Sequence, residues 1–281
     1  MKILILGGTG MLGHRLWLEL SKHHEVAATI RGSSPFANLP SFEITQIQDY
    51  GRLEQIISNY RPEIVINCIG LIKQANEHDN AIMNIELNAL LPNKVAQICE
   101  KYHSRLILFS TDCVFSGVKG VYKDNDFADA DDVYGRTKKL GEVDGQEHVL
   151  TLRTSIIGRE LRGKASLVEW FLSQKNQQVK GFTKAIFSGF PTKTVGEILN
   201  KYVLENKSLH GIYNLSAEPI SKFDLITLIK EEIGLPVEII PYNDFKIDRS
   251  LNSSRFREAT KFSPQGWKEL VKEIFVNDIK Y

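Results

Sequence analysis

The 281-residue chain has little of what would tie it to a special environment. Its three cysteines, Cys68, Cys99 and Cys113, are odd in number and far apart, and none forms a Cys-x-x-Cys pair. Nothing therefore points to a zinc site or dithiol redox chemistry, no metal is expected, and a reducing cytoplasm fits. Charge of one sign is missing too. Lys and Arg number 35 against 34 Asp and Glu, which removes the electrostatic case for a nucleic-acid partner or a membrane surface. Apolar runs are short: the one at residues 3–6 stops at Gly7 and Gly8, too brief for a signal peptide or a membrane span, and no later segment does better. Repeats, low-complexity tracts and long linkers are absent as well. What is present, 42% hydrophobic residues over this length, suffices for one large core and a smaller lobe, with a small-molecule ligand in the cleft between them.

The first two-thirds of the chain alternates strand-like and helix-like stretches, the pattern of a parallel sheet with crossover helices. Residues 2–6, 25–30, 63–68, 105–110 and 148–153 are mostly apolar, as strands buried on both faces must be. Residues 11–23 place Leu12, Leu16, Trp17 and Leu20 at helical spacing, and residues 85–102 do the same with Leu87, Leu91, Val95, Ile98 and Cys99. Beyond Arg153 the pattern loosens into helices near 166–175, 194–205, 221–233 and 265–278, separated by short extended pieces such as 212–215. The expected fold is α/β, a Rossmann-type doubly wound parallel sheet with a smaller C-terminal lobe. Residues 1–155 would hold a dinucleotide, with later segments returning to them, and 156–281 would mainly bind substrate.

Gly7-Gly8-Thr9-Gly10-Met11-Leu12-Gly13 lies between the first strand and the first helix. In that context a glycine-rich turn lets backbone approach a pyrophosphate, which the free N–H groups and positive end of the helix attract. Two registers fit, Gly8-Gly10-Gly13 and Gly7-Gly10-Gly13. At the end of the second strand, where an acidic residue would accept from a ribose 2′-hydroxyl, stands Arg31, whose guanidinium suits a 2′-phosphate. NADPH is the expected cofactor, with NADH as the alternative; a solvated loop Arg is the plain reading of the same residue.

Tyr134 and Lys138 would share one face of a helix spanning 134–146, but the spacing alone says little, since Tyr242 and Lys246 repeat it after Pro241, in a segment without a strong helical pattern. Tyr134 differs because it follows a strand that ends in Ser110 and Thr111. Carbonyl reduction needs a proton donor and something to hold the oxygen, and Thr111, Tyr134 and Lys138 can supply both. The Lys138 ammonium would lower the phenol from its usual pKa of about 10 and could hydrogen-bond the nicotinamide ribose.

With Gly7 to Gly13, the run Ser110-Thr111-Asp112-Cys113-Val114-Phe115-Ser116-Gly117, and Tyr134-Gly135-Arg136-Thr137-Lys138 with Gly141-Glu142, the chain resembles the extended short-chain dehydrogenases, most closely the dTDP-4-dehydrorhamnose reductase family. Arg153-Thr154-Ser155, Pro191-Thr192 and Gly211 to Ser216 extend the likeness. The resemblance implies that Thr111, Tyr134 and Lys138 are catalytic, that Cys68-Ile69-Gly70 passes the cofactor ribose, and that Gln46-Ile47 lies near the adenine. It further implies reduction of the 4-keto group of a nucleotide-linked 6-deoxyhexose, in bacterial-type surface-polysaccharide synthesis. Cys113 stands where these reductases usually have Tyr, and residues 248–256 replace their usual Arg-Pro-containing segment, which leaves the sugar and its dTDP or UDP carrier open. Lys73, Cys113 and Arg249, with Arg255, are the substrate-side candidates; for the three cations a solvated surface role is an equal reading.

Dehydratases of this type need an acid and a base beside the Thr, normally as Thr-Asp-Glu, and Thr111-Asp112-Cys113 lacks the Glu. An epimerase uses the same three side chains and stays open, with Arg31 favouring the reductase. A non-catalytic NADP-binding regulatory protein is the alternative of another class. Oligomeric state is open, a homodimer included.

Overall fold

The computed structural model describes residues 1–72, 80–161, 163 and 166–276. In chain order its elements are β1 (Lys2–Leu6), α1 (Met11–Ser21), β2 (Glu25–Ile30), β3 (Ser41–Glu43), α2 (Tyr50–Tyr60), β4 (Ile64–Asn67) and α3 (Ala81–Asn84). A π-helical stretch, Ile85–Leu90, leads into α4 (Leu91–Lys101), β5 (Arg105–Ser110), a 3₁₀ turn (Asp112–Val114), α5 (Val133–Leu140), β6 (Val149–Arg153) and β7 (Ile156–Ile157). Then come α6 (Leu167–Leu172), β8 (Gln178–Phe187), β9 (Phe190–Pro191), α7 (Thr192–Ile198) with a π turn (Leu199–Val203), and β10 (Gly211–Asn214). The chain closes with β11 (Ile220–Ser221), α8 (Lys222–Ile233), β12 (Glu238–Asp248), α9 (Ser254–Thr260) and α10 (Trp267–Ile274).

The large sheet runs β10-β6-β5-β4-β1-β2-β3, with every pairing parallel. Strand order reverses between β1 and β4, and in such a doubly wound sheet ligands bind outside the carboxyl ends of the strands at that point. Residues 3–6 are fully buried because helices cover both faces. Leu16, Trp17 and Leu20 of α1 pack on one face with α7, while α2 and α4 pack on the other through Leu53, Ile57, Leu91 and Val95. The smaller lobe is the sheet β11-β8-β12 with its own core of Val168, Phe171, Val179, Leu225, Ile229, Val271 and Ile274.

Some elements differ from the sequence pattern. Residues 85–102 do not form one α-helix: Pro92, in the first turn of α4, has no N–H to give the Asn88 carbonyl, and the backbone before it widens into the π stretch. The helix starting at Tyr134 stops at Leu140 instead of running to 146, because Gly141 and Glu142 turn inward. The short strand β3 and the long strands β8 and β12 were not anticipated. β8 alternates exposed Gln178, Lys180 and Lys184 with buried Val179, Gly181 and Ala185, a period-2 signal blurred by apolar Phe182 and Ile186 in the exposed register. β12 is mostly exposed and has no such signal.

Candidate active site

The glycine turn sits at the carboxyl end of β1. Gly7 has φ +85, a left-handed conformation open to glycine, and donates its N–H to Oγ1 of Thr29 at 3.1 Å. A methyl group on Gly13 would stand 2.1 Å from the Gly7 carbonyl oxygen, so α1 can press on the turn only without a side chain there. Gly10 faces free space, its nearest such neighbour being the Gly7 oxygen at 3.6 Å, and no side chain caps the N-terminus of α1. Unclaimed N–H groups over open space are what a pyrophosphate requires, so the residues fit a dinucleotide. Both glycine registers are needed for packing, since a methyl on Gly8 would lie 2.6 Å from Cβ of Ala28.

The neighbouring candidates are distributed as follows. Thr9 and Met11 are half-buried and Leu12 joins the core. Arg31, just past β2, is exposed and without a protein partner among the described residues. Gln46 is exposed, whereas Ile47 packs partly on the α2–α4 core. Cys68 and Ile69 are half-buried beyond β4, with the Ile69 N–H donating to Oδ1 of Asn67 at 3.0 Å, and Gly70 is exposed. Lys73 lies outside the described residues.

The second half of the site is built on β5 and α5. Asp132 caps α5 by accepting the Gly135 N–H at 2.8 Å. Oγ1 of Thr111 accepts the Cys113 N–H at 3.1 Å and donates to Oδ1 of Asp112 at 3.0 Å. The Tyr134 phenol lies near Thr111, which acts on its titration. Nζ of Lys138 donates to the Phe109 carbonyl at 2.7 Å. Gly70 closes the group from the β4 side, where a methyl on it would lie 3.8 Å from Nζ of Lys138. Cys113 adjoins α5, a methyl on Gly135 being 2.4 Å from its carbonyl oxygen. Nε of Arg249 donates to the Phe115 carbonyl at 2.8 Å, which brings β12's end to the same edge.

One expectation fails. The Tyr134 phenol is raised above its usual value, by burial first and then by Cys113, Asp112 and Asp132, against which Thr111 acts. Lys138 is not among the groups that move it, and its Nζ is given to the Phe109 carbonyl. Lys138 is itself pushed down to about 8 by burial, opposed by Glu142. The site's resting state is therefore a protonated phenol beside an amine that titrates near neutrality.

Two features were not among the site residues expected from the sequence. Asn88, buried in the π stretch, accepts the Leu71 N–H through Oδ1 at 2.9 Å and donates to Oδ1 of Asn84 at 3.0 Å, fixing the loop beside Lys138. Glu142 and Arg153 form a buried pair, Nε to Oε1 at 2.7 Å and Nη2 to Oε2 at 2.8 Å. Such a bidentate pair is strong, and loss of one partner costs about 3–5 kcal/mol. A charged residue closing an otherwise apolar strand, as Arg153 closes β6, was the available hint. By contrast, a cavity of about 510 Å³ at the opposite end of the sheet, lined by Glu63, Cys99, His103 and Arg105 among others, contains none of these candidates. Arg105 there is saturated by the carbonyls of Val203, Leu204 and Leu209.

A parallel sheet with a dinucleotide turn at its switch point and a Thr, Tyr and Lys on the adjoining strand and helix defines an oxidoreductase of the extended short-chain dehydrogenase class. The chain belongs to the family described as RmlD substrate binding domain, whose model matches residues 1–279. It is 27% identical over 292 aligned positions to the spore coat polysaccharide biosynthesis protein SpsK of Bacillus subtilis, with 97% of this chain and 96% of that one covered. To methionine adenosyltransferase 2 subunit beta of Danio rerio it is 25% identical over 248 positions, covering 84% and 75%. A hypothetical dTDP-4-dehydrorhamnose reductase from Sulfolobus tokodaii superposes with a TM-score of 0.82 at 27% identity, over 98% of this chain and 100% of that one. The dTDP-4-dehydrorhamnose reductase of Bacillus anthracis, solved with NADP, shares the fold at a TM-score of 0.81 and 20% identity, over 99% and 100%. Among the described residues no helix is long and apolar enough to cross a membrane.

Proposed function

We propose that this protein reduces the 4-keto group of a nucleotide-linked 6-deoxyhexose with NADPH, supplying a sugar nucleotide for bacterial-type surface polysaccharide. The observation that carries the reading is the convergence of Thr111, Tyr134 and Lys138 at the carboxyl end of β5, beside the loop 68–70 and the glycine turn. Bound NADPH supplies the hydride. The chain's own residues do the rest. Tyr134, held protonated, donates its hydroxyl proton to the carbonyl oxygen as charge develops there. Thr111 supplies a second hydroxyl to that oxygen, and the Lys138 ammonium would hydrogen-bond the nicotinamide ribose and hold the cofactor against the ketone.

In this reading residues 1–155 hold the cofactor and 156–281 mainly the substrate, with β10 returning to the large sheet. The Gly7–Gly13 backbone takes the pyrophosphate, Arg31 the 2′-phosphate, Gln46 and Ile47 the adenine side, and Cys68 to Gly70 the ribose. Cys113 and Arg249 face the sugar nucleotide. The reductases among the relatives and neighbours support the substrate class, and the NADP in the Bacillus anthracis structure supports the cofactor. The likeness to an adenosyltransferase subunit favours a second reading, an NADP-binding partner subunit without turnover.

The test is stoichiometry. Purified protein mixed with NADPH and a dTDP- or UDP-linked 4-keto-6-deoxyhexose is expected to oxidise one NADPH per ketone reduced. An epimerised sugar with no loss of NADPH absorbance would overturn the reading in favour of an epimerase. Tight NADPH binding with no reaction on any such ketone would overturn it in favour of the partner subunit.

A further inference from the structure

Three consecutive residues at the carboxyl end of β5 each meet α5 or the turn that follows it. The Phe109 carbonyl holds Lys138 at 2.7 Å, Oγ of Ser110 donates to Oε1 of Glu142 at 2.8 Å, and Thr111 lies near Tyr134. Tyr134, Lys138 and Glu142 are spaced by four, so they form one row along the helix and its end. The reductase reading uses the first two members of that row and leaves the third unexplained.

Glu142 has no exposed side-chain surface and accepts four hydrogen bonds: from Ser110, from Nε and Nη2 of Arg153, and from Nζ of Lys139 at 2.8 Å. Ser110 and Arg153 are register partners across β5 and β6, so one carboxylate spans both strand ends. The remaining donor of Arg153, Nη1, reaches the Asp124 carbonyl at 2.9 Å. On the other side, Gly141 presses against the π stretch, where a methyl group would stand 1.9 Å from the Asn88 carbonyl oxygen. The end of α5 is thus clamped between the π stretch and two strand ends.

We propose that Glu142 is a positioning residue of the reaction: its buried carboxylate, anchored by Arg153, fixes the end of β5 carrying Thr111 against the helix carrying Tyr134 and Lys138. It rests on the reductase reading for the reaction concerned, while the clamp itself is readable without substrate. The charge acts in the same place. Burial would raise the Glu142 carboxyl, but Arg153 and Lys139 hold it below its usual value, and the resulting anion opposes the desolvation that lowers Lys138. On its own helix Lys138 follows Tyr134 by one turn and precedes Glu142, while Asp112 and Cys113 from the segment after β5 act on Tyr134. Of these, Glu142 is the one whose charge moves Lys138.

The experiment compares Glu142→Gln, Glu142→Asp and Ser110→Ala with the wild type. In Glu142→Gln, kcat is expected to fall at least about 10-fold with KM for both substrates within about 3-fold, the pattern of a misplaced reacting group. The Lys138 midpoint, followed by NMR of the labelled side-chain nitrogen in the cofactor-free protein, should move to lower pH by at least about half a unit, and the alkaline limb of the rate profile with it. Glu142→Asp should restore the midpoint and part of kcat. Ser110→Ala leaves the ion pair in place and should lower kcat about 3-fold with the midpoint unmoved. Lower thermal stability in Glu142→Gln with unchanged kcat and an unchanged midpoint would overturn the proposal. If Glu142→Gln does not fold, unchanged kcat in Ser110→Ala overturns it. If the wild type reduces no ketone, the functional reading falls, and a Lys138 midpoint that stays put in Glu142→Gln then overturns the clamp.

Discussion

Tyr134 with Lys138 and Tyr242 with Lys246 have the same spacing and opposite surroundings. The first pair lies on α5, where four residues make about one turn and the two side chains stand about 6 Å apart at their bases. The second lies on β12, where four residues span roughly 13 Å of extended chain. There Tyr242 pairs with Phe182 across the small sheet and Lys246 with Lys184, with a register shift between them. Nζ of Lys180 lies 4.4 Å from the centroid of the Tyr242 ring, so that ring meets a lysine from the neighbouring strand. A Tyr–Lys spacing therefore carries chemistry only when the backbone winds it onto one face and a third group meets it. Thr111 meets the first pair, whereas beside the second the Thr183 hydroxyl goes to the Tyr242 backbone carbonyl and to Asn243.

The contrast can be broken most sharply at the hydroxyl. Tyr134→Phe should lower kcat at least about 100-fold with NADPH affinity unchanged, as loss of a general acid does, while Tyr242→Phe should stay within about 2-fold of the wild type. Steady-state kinetics and a fluorescence titration of NADPH check both, and comparable losses in the two variants would refute the distinction.

The amine offers the next test. Lys138, with its value near 8, carries its charge below that pH and loses it above, whereas the raised Tyr134 stays protonated throughout. Between pH 7 and 9 the reduction rate should therefore fall about 10-fold. In Lys138→Arg, which cannot lose its charge in this range, any residual activity should show no such limb. A flat wild-type profile over this range would mean that the Lys138 charge is not needed.

The smallest effect sharpens the cofactor half of the site. Arg31→Ala should cut the preference for NADPH over NADH about 10-fold, the scale of one or two charge-assisted hydrogen bonds, with kcat on NADH little changed. Equal wild-type affinities for the two cofactors, measured by titration, would remove Arg31 from the site.

Much of this was legible because it is local. The apolar runs of β1, β2, β4, β5 and β6 lie within a residue of their predicted limits, and the glycine turn falls between strand and helix as its residues require. The Tyr242–Lys246 decoy was also legible, since Pro241 and the absence of a helical pattern argued against a helix. Less legible were the π stretch, where Pro92 acts on a carbonyl four residues earlier, and β12, whose exposed residues give no periodic signal. The direction of the Tyr134 shift was misread because burial, its largest cause, depends on how the layers pack around the phenol.

By itself the sequence determined the main strand and helix alternation of its first two-thirds and the glycine turn between β1 and α1, and it put forward Thr111, Tyr134 and Lys138, because period, turn chemistry and spacing are set by neighbours in the chain. Only the tertiary structure decided that β10 is the later segment that joins the large sheet, that Glu142 ties Ser110 to Arg153, and that Arg249 reaches the Phe115 carbonyl from 134 residues away. Those contacts join segments whose local preferences are independent of one another. They exist because burial demands a partner for each polar group, and which partner is near depends on how the layers pack.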